Sequence, residues 1–222
     1  MASQIVIADC IVFFVLTVAA MLLYPGGRVG DVQSVGYAFF TNFFSDLGQT
    51  VTYGGHDNRV SLVLFCIALS STAAAVGLFF IFYSLLFPPR SSARRVAIVA
   101  AVAGIIAAAC FVGVAATPWN LYLRAHNDFV QWAFRSFLLA VVCAAIASGL
   151  AANFPRRFAA VFRAFAVLLT AYVLLLACGP SANTASGAAI QATGQKIIVY
   201  ASMLTVLVQA FSVRALLRNS AY

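Results

Sequence analysis

Gly36-Tyr-Ala-Phe-Phe-Thr-Asn-Phe-Phe-Ser-Asp-Leu-Gly-Gln49 lies between two long apolar runs. At helical spacing it divides into two faces. Phe39, Phe40, Phe43, Phe44 and Leu47 fall on one, and Asn42, Ser45, Asp46 and Gln49 on the other. The spacing predicts a short amphipathic helix whose polar face looks into a bundle of helices.

The rest of the chain says what that bundle is made of. Hydrophobic residues are 64% of 222 positions and charged residues 8%, with a mean hydropathy of +1.02. A soluble domain carries about 25% charged residues, so the solvent for most of this surface is lipid. Crossing the hydrocarbon takes roughly 20 apolar residues, and six runs qualify, at about 4–24, 60–87, 96–117, 128–152, 158–178 and 195–217. The expected fold is all-α: one integral membrane domain over 1–222, a six-helix bundle with the amphipathic helix between spans one and two. The first run ends in Tyr24-Pro-Gly-Gly rather than a small-residue cleavage site, so it reads as a retained span. Ala100, Gly104 and Ala108 give span three a small-residue face for close packing. The stretch 179–195 reads as a small, polar loop. Cys10, Cys66, Cys110, Cys143 and Cys178 all fall in spans, without metal-type spacing.

Thirteen basic residues against five acidic ones would point to nucleic acid in a soluble protein. Here the basic residues sit in short clusters between apolar runs, which excludes that reading and sets orientation instead. Arg90, Arg94, Arg95, Arg156, Arg157, Arg163, Arg214 and Arg218 fall on one side, and Arg28, Arg59, Arg124 and Lys196 on the other. Six spans with both termini cytoplasmic satisfy that division. The acids and histidines divide in the opposite sense: Asp31, Asp46, Asp57, Asp128, His56 and His126 are all expected at the extracytoplasmic end, leaving only Asp9 near the inner face.

Two constellations carry possible chemistry. Ser45-Asp46 is one. The other is the start of span four, where Arg124, Asp128, Gln131 and Arg135 follow i, i+4, i+7, i+11 spacing. Arg135 is two turns below Asp128, about 10 Å deeper, where a charge requires a partner, water or snorkelling. The expected arrangement turns Arg135 inward to pair with Asp46. His56, His126, Asp46 and Asp128 also supply the ligand types of an open zinc site, and Ser45 with a His and an Asp supplies the types of a nucleophilic set.

Asn42-Phe-Phe-Ser45-Asp46-Leu47-Gly48, then Thr117-Pro118 followed by His126, resembles a group of uncharacterised multi-pass membrane proteins with Ser-(Asp/Glu)-Leu-Gly and Pro…His signatures. That group is distantly similar to the DRAM/FRAG-type proteins. The resemblance implies a six-helix fold with a polar cluster near the outer face and carries over Ser45, Asp46 and His126. A weaker similarity, to the seven-span alkaline-ceramidase and adiponectin-receptor-like hydrolases, implies three His ligands, whereas this chain has two His.

The functional expectation is a pocket near the extracytoplasmic face, lined by Asn42, Ser45, Asp46, His126, Asp128, Gln131, Arg135 and Lys196, that binds a lipid head group or other amphiphile. Arg135 and Lys196 would suit an anionic group. The alternatives are a metal-dependent hydrolase of a lipid amide or ester and an accessory subunit of a membrane complex. No cofactor is expected, with zinc the alternative; the expected partners are membrane lipids, other membrane proteins or further copies of this chain.

Overall fold

The computed structural model describes residues 2–152 and 154–219, with side chains between Gln4 and Phe211. Arg214 and Arg218, counted above in the tail, have side chains outside that set. The chain is α-helical: α1 (Ala2–Leu22), α2 (Arg59–Leu85), α3 (Ser92–Ala116), α4 (Trp119–Leu150), α5 (Arg156–Cys178) and α6 (Ala185–Asn219). All six are long and apolar enough to cross a membrane.

Local chemistry sets where these helices begin. Ser91 caps α3 by accepting the Arg94 amide at 3.1 Å, and Pro118 closes it. α4 then starts at Trp119, nine residues ahead of the expected boundary, and α6 starts at Ala185 rather than 195. In the second case the small polar stretch is itself helix-forming. Ala and Gln have high helix propensity, and Thr184 Oγ1 accepts the Gly187 amide at 3.1 Å as an N-cap.

Each helix packs on the next in sequence, and α6 returns to α1, so the bundle is a closed ring with α1 and α4 across from each other. Lipid removes the hydrophobic drive between helices, so close approach must come from small residues. α3 supplies them: Ala97, Ala100, Ala103, Gly104 and Ala107 are all buried. Gly104 receives the Phe80 ring, and a Cβ there would stand 2.6 Å from it. At the end away from the α1–α2 loop, Tyr83 stacks edge-on with Phe87 and Phe162 at ring separations of 5.2 and 5.3 Å. Its hydroxyl donates to the Ala144 carbonyl at 2.9 Å.

The α1–α2 loop folds into a cap. β1 (Gly26–Arg28) and β2 (Asp31–Val35) make an antiparallel hairpin, and a separate bridge joins Val51 to Asp57. Gly27, at φ +90°, lets the hairpin come so close to Tyr53-Gly54 that a Cβ would sit 2.4 Å from the Gly54 nitrogen. The amphipathic helix expected over 36–49 contracts to a 3-10 turn, Phe44–Gly48. The cause is competition from side chains. Asn42 Oδ1 accepts the Ala38 amide and Asp46 Oδ2 accepts the Phe43 amide, at 3.0 and 2.8 Å, which gives the backbone a local alternative to the helix ladder. Phe43 is accordingly extended, at φ −67° and ψ 153°.

The cap is tied to three helices. Asn58 Nδ2, just before α2, donates to the Leu47 and Gln49 carbonyls at 3.1 and 2.9 Å. Asn120 of α4 exchanges two bonds with Thr50, at 3.1 and 2.8 Å. Gln195 of α6 accepts the Phe44 amide at 2.7 Å.

Candidate functional site

Asp46 anchors the polar centre under this cap and is 1% exposed. Its Oδ2 accepts from Asn42 Nδ2 at 2.9 Å and the Phe43 amide at 2.8 Å, and its Oδ1 accepts a longer bond from Trp119 Nε1 at 3.3 Å. Burial pushes the Asp46 carboxyl up to about 6, against the opposing pull of Asn42, the Phe43 amide, the Lys196 ammonium and Trp119. Oδ2 is saturated, whereas Oδ1 keeps room for another donor.

Asn42 joins Asp46 to Lys196. Its side chain donates to Asp46 and to the Gly27 carbonyl, while its own backbone carbonyl accepts from Lys196 Nζ. Lys196 is 2% exposed. Its ammonium also lies over the rings of Tyr37 and Phe39, at 5.3 and 5.4 Å. A lone buried cation is thereby satisfied by carbonyls and ring faces, with a carboxylate one residue removed.

Beside Asp46 opens a cleft of about 760 Å³ between the cap, α4, α5 and the start of α6. Its polar lining includes Ser45, Asp46, Tyr53, Trp119, His126, Asn127, Gln131, Asn183, Gln191 and Gln195, while Leu123, Val130 and Leu176 form an apolar stretch. The Tyr53 and Trp119 rings sit 5.2 Å apart on one wall. Arg28 reaches the cleft too, and its guanidinium is already engaged by Asp31 at 3.0 Å and Thr41 at 3.2 Å. His126 Nδ1 lies 2.7 Å from the Thr117 carbonyl. A carbonyl can only accept, so Nδ1 carries the proton, and in the neutral ring Nε2 is left as the acceptor.

Ser45, Asp46, His126 and Gln131 therefore line one cleft, and Asn42 and Lys196 stand behind its floor. Asp128 and Arg135 do not belong to it. Both are exposed on another face of α4, and no Asp46–Arg135 ion pair forms among the described residues. The reason is helical phase: at 3.6 residues per turn, His126 and Asp128 point about 200° apart and cannot share a wall. Arg135 thus lies outside the cleft, and Lys196 is engaged by the Asn42 carbonyl behind it. The four residues weighed for zinc do not gather either. His56 and Asp128 are exposed while Asp46 and His126 are buried, and no group of three metal-ligating side chains forms among the described residues.

Arg28, Tyr53, Trp119, Gln191 and Gln195 are site residues that the sequence did not single out. Trp119 reads as an interfacial aromatic and Arg28 as a loop charge. Gln195 carried the one available signal, a lone amide beside the only lysine.

Fold and site define a six-span helical membrane protein with a capped polar cleft at one end. No protein-family model, no curated protein and no solved structure matches the chain.

Proposed function

We propose that the cleft binds the head group of an amphiphile that is neutral or zwitterionic and rich in hydroxyl or amide groups. The observation that carries this is the lining: five carboxamides (Asn127, Gln131, Asn183, Gln191, Gln195) surround one buried carboxylate. Carboxamides both donate and accept, which matches hydroxyls and amides rather than a concentrated charge. Asp46 Oδ1 supplies the single strong acceptor, and the Tyr53–Trp119 wall offers aromatic faces. Leu123, Val130 and Leu176 give the alkyl part of the ligand an apolar bed.

The reading includes an extracytoplasmic position for the cleft, with both termini cytoplasmic. Its support is the excess of arginine in the loops at the uncapped end. It also includes kinship with the Ser-Asp-Leu-Gly group, since Ser45, Asp46 and His126, the residues that carry the resemblance, all line the cleft. The hydrolase alternative has no comparable support, because its ligand set is scattered.

The test is native mass spectrometry of the protein released from nanodiscs that contain glycosylated, phosphocholine and phosphatidylglycerol lipids in equal amount. Retention of the glycosylated or phosphocholine lipid, lost in Gln131→Leu and Gln195→Leu, is expected. Preferential retention of phosphatidylglycerol, or retention unchanged by both substitutions, would refute the proposal.

A further inference from the structure

Two charges in the middle of the bundle play no part in the cleft. Asp9 of α1 is half-buried, and its Oδ2 accepts from Thr72 Oγ1 at 2.9 Å. Arg135 of α4 is exposed and has neither a hydrogen bond nor an ion pair among the described residues. The two ion pairs among the described residues are Arg28–Asp31 and Arg59–Asp57, both at the capped end. Among the described residues, Asp9 and Arg135 thus sit in membrane-spanning helices without a partner of opposite charge, a costly condition in hydrocarbon.

Their depths are close. A small apolar void of about 50 Å³ inside the bundle is lined by Thr72, the partner of Asp9, and by Phe134, the neighbour of Arg135. The lining runs from Thr72 to Val76 and from Phe134 to Phe137, so Asp9 and Arg135 stand within about one helical turn of the same level. Their directions are opposed, since α1 and α4 lie across the ring from each other. Arg135 is set in an exposed apolar stripe, flanked by Trp132 and Leu139 at 59% and 50% exposure, and Asp9 stands at the edge of one, with Ile5 and Val12 exposed on its outer side and Val6 and Phe13 buried on its inner side. One side of the molecule presents an acid at mid-depth, the other a base at nearly the same depth, and both sit among side chains that pack well in lipid or protein.

We infer that the α1 face of one copy docks on the α4 face of a second copy, with Asp9 paired to Arg135 across the contact. The occupant is another copy because complementary charge and similar depth are both supplied by this chain. Thr72 holds the carboxylate in place and Asp9 Oδ1 remains for a guanidinium, which forms charge-assisted bonds well. Because the two faces are opposed, the association is head-to-tail. It cannot close as a twofold dimer using both contacts; it grows as a row or closes as a ring.

Charge exchange tests this in the full chain. Oligomer size is measured by single-molecule photobleaching of labelled protein in bilayers at low density, for wild type, Asp9→Arg, Arg135→Asp and a mixture of the two variants. Wild type should associate, each variant alone should be monomeric or at least tenfold weaker, and the mixture should recover association as alternating copies. Recovery also shows that both variants are folded. Three results would overturn the inference: a monomeric wild type, association indifferent to either substitution, or no recovery in the mixture although both variants retain wild-type helix content by circular dichroism. Among these, a monomeric wild type that binds phospholipid, with binding lost in Arg135→Gln, would assign Arg135 to a lipid phosphate instead.

Discussion

At the capped end of the bundle, Asn42, Asp46, Gln49, Asn58 and Lys196 are all within 2% of full burial, held by bonds to backbone and to one another. At the other end the equivalent volume is filled by Phe79, Tyr83, Phe87, Phe154 and Phe162 against the alanines of α3 and α4. The contrast separates two ways of holding a fold together in lipid. The aromatic end relies on shape, because moving a ring from lipid to protein gains little beyond better contact. The capped end relies on bond-by-bond satisfaction of polar groups, and among the described residues only Thr52 Oγ1 and Asn58 Oδ1 are buried without a partner. Such a network is rigid while complete and fragile when one member is lost.

Substitutions can set the two ends against each other. The largest effect is expected from Asp46→Ala, which strands the Phe43 amide and Trp119 Nε1 and removes one of the two bonds that Asn42 Nδ2 donates. Buried donors left unmet cost about 1–3 kcal/mol each, so thermal unfolding in detergent should report a loss of roughly 3 kcal/mol or more. A loss below about 1 kcal/mol would mean that water takes over those bonds and that the capped end is not a closed network. At the aromatic end, Gly104→Ala presses a methyl into Phe80. Overpacking of this kind costs about 1–3 kcal/mol, and the same assay should show it, with the cleft's lipid retention unchanged. An altered retention would mean that the two ends are mechanically coupled.

The smallest effect is the one of pH. Asp46 titrates near 6 in the folded protein against 3.8 for a free carboxyl, so between those values the folded state holds the proton more firmly than the unfolded one. Stability therefore rises as pH falls through 6 toward 4, and is lost again as pH rises back through 6. From pH 7 to pH 5 the gain is about 1 kcal/mol, to be read as the difference between wild type and Asp46→Asn. A difference of the opposite sign would show that the carboxylate is better solvated by its partners than its burial implies.

The six spans were legible because hydropathy registers directly in composition, and Asp46 with His126 was legible because both precede apolar runs at the same end. The azimuth of α4 was not. The spacing of Arg124, Asp128, Gln131 and Arg135 is a true helical stripe, but periodicity says only that residues share a face, not which neighbour that face meets. The cleft takes His126, Asn127, Val130 and Gln131 instead, about a quarter-turn around. The hairpin was hidden for a different reason. Its two strands are short, and one of them rests on Gly27, whose role depends on contact with Tyr53-Gly54, some 25 residues later, which no local pattern encodes. The contracted helix at Phe44–Gly48 follows similarly from Asn42 and Asp46 turning to bond the backbone beside them.

One break in regularity redraws the boundaries of the molecule. Inside α4, Tyr122 leaves helical geometry, at φ −131° and ψ 49°. The three residues before it are continuous with α4 in sequence, but their bonds run elsewhere: Asn120 to Thr50, Trp119 to Asp46, and the Trp119 ring to Tyr53. In cooperative terms that first turn is part of the cap and not of the transmembrane helix. Any displacement of the α1–α2 loop would therefore move Trp119 with it, and one wall of the cleft belongs to the cap rather than to the bundle.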